Sequence, residues 1–420
     1  MRVQISPSKD GLPPDLGDPC VPGSKSHTQR AMLLAAGHAH TTVLRGALRA
    51  RDTEVLGRAL EQLGARVAWS GQDIEIEGPL KFDEPVRLDL DENGTALRML
   101  GVVVPMLAGR ARIDGAAGLA KRPIDEILTL LDGAGAGHDT DRLPIEVDGT
   151  CARWEGPVTT DASRTTQVAS GILLGTALRQ LLIGADAGPD EIIIARPSAG
   201  GYLLVTVATL RDFGFPVDVS VEEEAWRLRI GPPGQAPAVI EIGSDPSALA
   251  FPAALAAMHG HPWKPPAMTD NAHPDLDALE ALASLAARPD EENAEIEGLG
   301  RHPDAFGALC TLAATRSGQT QLLGAPALRL KESDRIAAMA RGLEAVGILC
   351  EERPDGLVLR GPVRSQDTPI ELPTVPDHRI IMALALLGTI TPVMLDGGEA
   401  VDKSWPGYFN WLARVARVEC

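Results

Sequence analysis

Residues 329–335 read RLKESDR, so two arginines, a lysine, a glutamate and an aspartate share seven positions at the mouth of an alanine-rich helical pattern. The chain holds seven lysines among its 39 Lys+Arg, which makes a lysine in this crowd a candidate for chemistry. Carboxylates beside cations can move protons while the cations grip anions. Lys331 and Arg335 are spaced to share one helix face, whereas Glu332 and Arg335 read in isolation are an i,i+3 surface pair of little energetic worth. Four further segments have the same character. PGSKSHTQR places Lys25, Ser26 and Arg30 at a helix start. AKRPIDEIL puts Lys121 and Arg122 before a proline suited to the first helical position. PDHRI supplies Asp377, His378 and Arg379, and DKSWPGYF supplies Lys403. Gathered in one place, these groups would suit substrates carrying several phosphates and carboxylates.

The elements that must position them repeat. Six times a polar turn opens into an apolar helix: PGSKSHTQRAMLLAA, DENGTALRMLGVVV, SRTTQVASGILLGTAL, SDPSALAFPAALAAM, HPDAFGALCTLAA and PDHRIIMALALLG. Between them lie second helices and alternating runs such as DIEIEG, WRLRIG and DGLVLRG, which predict half-buried strands. Six units divide into two halves of three. Pro/Gly-rich stretches at 20–25 and 231–237 place the crossovers, giving a discontinuous domain of residues 1–22 plus 238–420 and an inserted domain of residues 23–237. Each opening offers Ser, Thr, Asn or Asp as an N-cap. Helix starts carry free N–H groups and about half a positive charge, so several aimed at one place would bind anions.

Composition excludes other classes. A net charge of −18 argues against nucleic acid as a partner. No apolar run is long enough for a membrane span, and no signal-peptide pattern opens the chain. The five cysteines are scattered, without a C-x-x-C pair, which fits a reducing cytoplasm and neither a disulfide framework nor a metal site. A cytoplasmic monomer without cofactor or metal is expected.

In order, PGSKS…R, NGTALR, KRPI, TTQ, DPSALAF, HPDA, RLKESDR, PDHR and KSWPGYF span nearly the whole chain. This series resembles the 5-enolpyruvylshikimate-3-phosphate (EPSP) synthase family. The resemblance implies an α/β (α+β) fold of two inverse α/β barrel-like domains. Each would hold three βαβαββ-type repeats, with the active site in the interdomain cleft. It implies transfer of the enolpyruvyl group of phosphoenolpyruvate to the 5-hydroxyl of shikimate-3-phosphate, with release of phosphate. Lys25 would contact both substrates. Ser26, Arg30, Thr165, Thr166, Ser198 and Tyr202 would hold shikimate-3-phosphate, together with Asp304 and Lys331. Gln167 would span the two ligands. Gly94, Arg122, Arg335, Arg379 and Lys403 would form the phosphoenolpyruvate site, and Asp304, Glu332 and Lys331 the proton-transfer positions. Asp304 is the expected base for the hydroxyl; Glu332, with Lys25 as competitor, is the expected acid/base near C3 of the donor.

The chain departs from the family pattern at Glu92, Gly118 and Ala327, and has threonines at 165 and 166 where the family usually has serines. Two alternatives follow: transfer to a related cyclic alcohol, or a non-catalytic anion-binding homologue. The UDP-N-acetylglucosamine branch is disfavoured, because its reactive cysteine is missing from GAAGLAK.

Overall fold

The six apolar segments all form helices in the computed structural model: Lys25–Gly37, Gly94–Met106, Gln167–Leu182, Pro246–Met258, Phe306–Ala313 and His378–Leu387. The structure describes the chain apart from Asp10, Pro14, Asp15, Asp83, Ala199, Trp263 and residues 266–272. Helices apolar on every side must be buried on every side. Accordingly, every residue of His378–Leu387 and of Phe306–Ala313 is buried.

Four of the six starts are capped as expected. Ser24 accepts from the His27 N–H, Asn93 from Ala96, Asp245 from Ser247 and Asp377 from Arg379. Two differ. Thr166 makes no side-chain cap; instead Thr165 Oγ1 accepts from the Gln167 N–H at 3.2 Å. The Phe306 helix continues directly from a 3₁₀ turn, Pro303–Ala305, so no break remains to be capped.

The strands repeat one pattern. In each sheet a parallel pair is extended by two antiparallel strands. Thr41–Arg45 pairs in parallel with Val239–Glu241 and antiparallel with Asp73–Glu77, which then pairs with Arg66–Ser70. The same arrangement joins Val86–Asp89, Arg110–Asp114, Ile145–Asp148 and Gly137–His138, and again Pro157–Asp161, Glu191–Ala195, Ala225–Ile230 and Val217–Val221. It recurs in Ala294–Ile296, Gln319–Leu322, Gly356–Arg360 and Leu349–Arg353. In the last sheet, Ile370–Glu371 and Val393–Leu395 meet the two chain ends, Val3–Pro7 and Ala416–Glu419. Alternation sets the inner face: Ile74 and Ile76 are buried while Glu75 and Glu77 are exposed.

The chain forms two compact units, Gly23–Gly243 and Met1–Pro22 with Ser244–Cys420. Each has its own apolar core. Composition assigns residues 238–243 to the discontinuous domain. Strand Val239–Glu241 pairs instead with Thr41–Arg45, Ile240 opposite Leu44, and a strand belongs with the sheet that satisfies its backbone. No helix among the described residues is long and apolar enough to cross a membrane.

Small residues let the site-bearing helices approach closely. A Cβ on Gly307 would lie 2.8 Å from Ala383 Cβ and 3.3 Å from the Arg379 carbonyl oxygen. Gly307→Ala gains about 1 kcal/mol of helix propensity but overpacks the contact, which costs about 1–3 kcal/mol. Net destabilisation is expected in urea unfolding. A variant as stable as the parent would show that these helices part without loss.

Candidate active site

In the Gly23–Gly243 unit the chemistry begins with three helix starts tied together. Lys25 is the first residue of its helix, and its Nζ lies 3.2 Å from Asp52 Oδ2, with both side chains largely buried. Asn93 caps the Gly94 helix through Oδ1, and its Nδ2 donates to the Asp52 carbonyl at 2.7 Å and to Gln29 Oε1 at 2.9 Å. One amide thus fixes the Gly94 helix against the Lys25 helix and against Arg51–Gln62. Glycine at 94 lets two guanidinium groups lie against the backbone, because a Cβ there would fall 2.5 Å from Arg122 Nη1 and 3.1 Å from Arg98 Nη1 and push them aside. Arg98 Nη1 donates to the Gly94 carbonyl at 3.3 Å and to Gln167 Oε1 at 3.4 Å, while Gln167 Nε2 donates to Thr95 Oγ1 at 2.9 Å. Lys25, Gly94, Arg122 and Gln167 are thereby gathered around Asp52, Asn93 and Arg98, three organisers to which the sequence reading gave no role. NGTALR contains Arg98, and its position four residues after Gly94 was the available signal.

One local expectation fails here. Pro123 does not open a helix; Ile124 is the N-cap of Asp125–Ala134. Arg122 therefore lies in a loop held by its own N–H bonding to the Leu119 carbonyl at 3.0 Å.

Arg30 is buried among neutral oxygens. Nε donates to Thr206 Oγ1 at 2.7 Å, Nη1 to the Ser26 carbonyl at 2.8 Å, and Nη2 to Ser170 Oγ at 3.1 Å and the Tyr202 carbonyl at 3.5 Å. Ser26 and Tyr202 thus reach Arg30 through backbone oxygens. Burial lowers its pKa to about 10, which leaves it cationic at neutral pH. Thr165 is half-buried and Thr166 buried. Ser198 sits in a turn whose N–H bonds to the Ala162 carbonyl at 3.0 Å.

In the unit formed by Met1–Pro22 and Ser244–Cys420, one ion network joins five of the six expected residues. Arg335 is only 2% exposed. Its Nε donates to Asp377 Oδ2 at 2.9 Å, Nη1 to Asp304 Oδ1 at 2.8 Å and Nη2 to Glu332 Oε2 at 3.0 Å. Arg379 Nη2 reaches Asp304 Oδ2 at 3.2 Å and Asp245 Oδ2 at 3.4 Å. Lys403 Nζ lies 3.4 Å from Glu332 Oε1. Burial works against the Arg335 charge, but Asp377, Asp304 and Glu332 outweigh it and hold its pKa well above the ordinary value. The Glu332–Arg335 pair is therefore no surface pair.

Lys331 is placed differently from its expected position. Asp334 accepts from the Ala337 N–H at 3.0 Å and starts the helix at Arg335. Lys331 thus stands before the cap, after the 3₁₀ segment Pro326–Leu330, and cannot share a helix face with Arg335. Arg329 Nη1 braces Asp334 Oδ2 at 2.7 Å.

Behind this network lies a buried acid that the sequence reading missed. Asp275 is fully buried, bonds Ser247 Oγ, and its N–H donates to His273 Nδ1 at 3.3 Å. Burial pushes its pKa from 3.8 up to about 6, opposed by His273 and reinforced by Asp304 and Asp245. A group held at a raised pKa in the folded chain favours folding while protonated. That stability is fully present below about pH 4 and is lost as pH rises through about 6. Asp275→Asn, which cannot titrate, should flatten this part of the stability profile, measured as urea midpoints between pH 4 and 6.5. Parallel profiles for the two proteins would refute the assignment.

The family model for EPSP synthase (3-phosphoshikimate 1-carboxyvinyltransferase) matches residues 17–264 and 277–412. A 3-phosphoshikimate 1-carboxyvinyltransferase of Thermococcus kodakarensis is 31% identical over 412 residues, covering 95% of this chain and 97% of that protein. The Mycobacterium ulcerans protein of the same name is 32% identical over 412 residues, covering 92% of each. A solved EPSP synthase from Acinetobacter baumannii superposes with a TM-score of 0.74 at 26% identity, covering all of both chains. The enolpyruvyl transferase NikO from Streptomyces tendae shares the fold, with a TM-score of 0.72 at 16% identity over 100% of this chain and 98% of that one. With the two-unit α/β fold and a match to the family model over most of its length, this chain belongs to the EPSP synthase family.

Proposed function

We propose that the protein transfers the carboxyvinyl group of phosphoenolpyruvate to the 5-hydroxyl of shikimate-3-phosphate and releases phosphate. What supports the reading is the network in which Asp304, Glu332, Arg335, Arg379 and Lys403, drawn from four separate segments, bond one another. Three cations and two carboxylates in mutual contact suit a reaction that moves protons beside a bound anion.

The hydroxyl attacks C2 of the donor while C3 gains a proton. The tetrahedral adduct then loses phosphate and a C3 proton. Asp304 takes the hydroxyl proton, and Glu332 serves C3. Arg122, Arg335, Arg379 and Lys403, with the backbone at Gly94, hold the donor. Ser26, Arg30, Thr165, Thr166, Ser198 and Tyr202 hold the acceptor, Lys331 lies beside its hydroxyl, and Lys25 and Gln167 serve both ligands. Asp304 bridges two guanidinium groups in this structure, and a carboxylate so held is a weak base. Donor anions that draw Arg335 and Arg379 toward themselves release it for the hydroxyl. The enzyme works as a cytoplasmic monomer on these two metabolites, a reading supported by its acidic charge and scattered cysteines.

The test is phosphate release with both substrates, repeated with unphosphorylated shikimate. Turnover is expected only with the phosphorylated acceptor, and its absence there sinks the reading. Lys25→Met removes the ammonium at 3.2 Å from Asp52 and should lower kcat/KM by at least about a hundredfold, the scale of one lost charge interaction with the transition state. Near-normal release by this variant would remove Lys25 from the chemistry.

A further inference from the structure

Glu92 and Gly118, two of the departures noted in the sequence, meet in the structure. Glu92 Oε1 accepts from the Gly118 N–H at 3.1 Å. An added Cβ on Gly118 would lie 2.6 Å from each oxygen of the same carboxylate. A contact under 3 Å cannot persist, and because the Glu92 carboxylate is the far end of a flexible side chain, it would swing away and give up its bond to the Gly118 N–H. The glutamate therefore fills the space a side chain at 118 would need, and the two positions are one local solution.

That solution sits on the segment carrying Arg122. Gly118 lies in the short turn Ala117–Ala120, whose Leu119 is fully buried and accepts the Arg122 N–H. The facing turn is stitched to it along its length. The Leu90 N–H bonds the Asp114 carbonyl at 2.9 Å, and the Ala116 N–H bonds the Asp91 carbonyl at 2.9 Å. Arg51 Nη2 braces Asp91 from outside at 2.9 Å. Two residues beyond Glu92 is Gly94, against which the Arg122 guanidinium lies. The backbone bonds fix the near end of the segment; the Glu92 bond is the side-chain contact that carries the fixation on to residue 118.

We propose that Glu92 is a positioning residue for Arg122, with Gly118 as the partner whose missing side chain leaves room for that bond, and that the pair sets the affinity for the anionic donor without touching it. The inference rests on the donor role given to Arg122 under the proposed function. The carboxylate acts as a hydrogen-bond acceptor, so glutamine, which keeps an acceptor oxygen at the same reach, can replace it and alanine cannot.

Steady-state kinetics with each substrate varied in turn tests this. Glu92→Ala should raise KM for phosphoenolpyruvate about tenfold, the scale of one lost hydrogen bond to a charged group, with KM for shikimate-3-phosphate unchanged. Glu92→Gln should restore the donor KM. Gly118→Ala should raise the donor KM as Glu92→Ala does, and the double variant should be no worse than Glu92→Ala, because the clash is gone. An unchanged donor KM in Glu92→Ala overturns the proposal, as does an equal rise for both substrates, a failure of glutamine to rescue, or additive losses in the double variant. A parent protein that releases no phosphate would instead overturn the proposed function, so the two failures are distinguishable.

Discussion

The buried guanidinium of Arg335 is the constraint on which the chemistry of the Met1–Pro22 and Ser244–Cys420 unit depends. A charge 2% exposed survives only if its hydrogen bonds are met by opposite charge. Asp377, Asp304 and Glu332 meet them. Each of those carboxylates is fixed elsewhere too. Asp377 caps the His378 helix, Asp304 bonds Arg379, and Glu332 pairs with Lys403. One arginine therefore orients the groups assigned to proton transfer. Removing one partner from a buried pair typically costs about 3–5 kcal/mol, so the arrangement is held firmly as well as charged appropriately.

Arg30 solves the same problem in the other unit by different means. Its acceptors are two hydroxyls and two backbone carbonyls. These four acceptors are neutral, and burial lowers its pKa to about 10 against a smaller opposing effect of Tyr202. A cation solvated by dipoles alone keeps its attraction for an anion, whereas Arg335 shares its attraction with three carboxylates. Arg316 shows the structural use of the same residue: four backbone carbonyls around the end of helix Leu276–Ala287 accept its N–H groups. Arginine's abundance in the sequence thus covers both tasks, and sequence position alone does not tell them apart.

What was legible in the sequence is what local chemistry controls. Apolar runs behind polar caps gave all six buried helices, and alternation gave strands such as Asp73–Glu77 and Gly356–Arg360. Motif order gave the family. What was hidden depends on partners distant in the chain. Asp52, 27 residues from Lys25, has no motif of its own. Asp275 draws its raised pKa from burial and from His273, Asp304 and Asp245, and burial depends on the whole fold. For Lys331 the spacing implies a helix face, while one aspartate, Asp334, starts the helix at Arg335, four residues later than the pattern suggests. The Glu92–Gly118 contact spans 26 residues and was visible only as two unrelated departures.

These features bear on how an acidic chain can bind acidic ligands. The net charge of −18 as a whole repels them. Attraction at the site itself is a matter of short-range exchange. Arg335, Arg379 and Lys403 are already paired with carboxylates, so an incoming anion gains only the difference between its own contacts and those it displaces. That lowers affinity for any single anion and favours ligands whose several charges match several cations at once. It also ties Asp304 to the donor. On the roles proposed above, the same arginines cannot hold the ligand and the base equally, so binding the donor and freeing Asp304 would be one event.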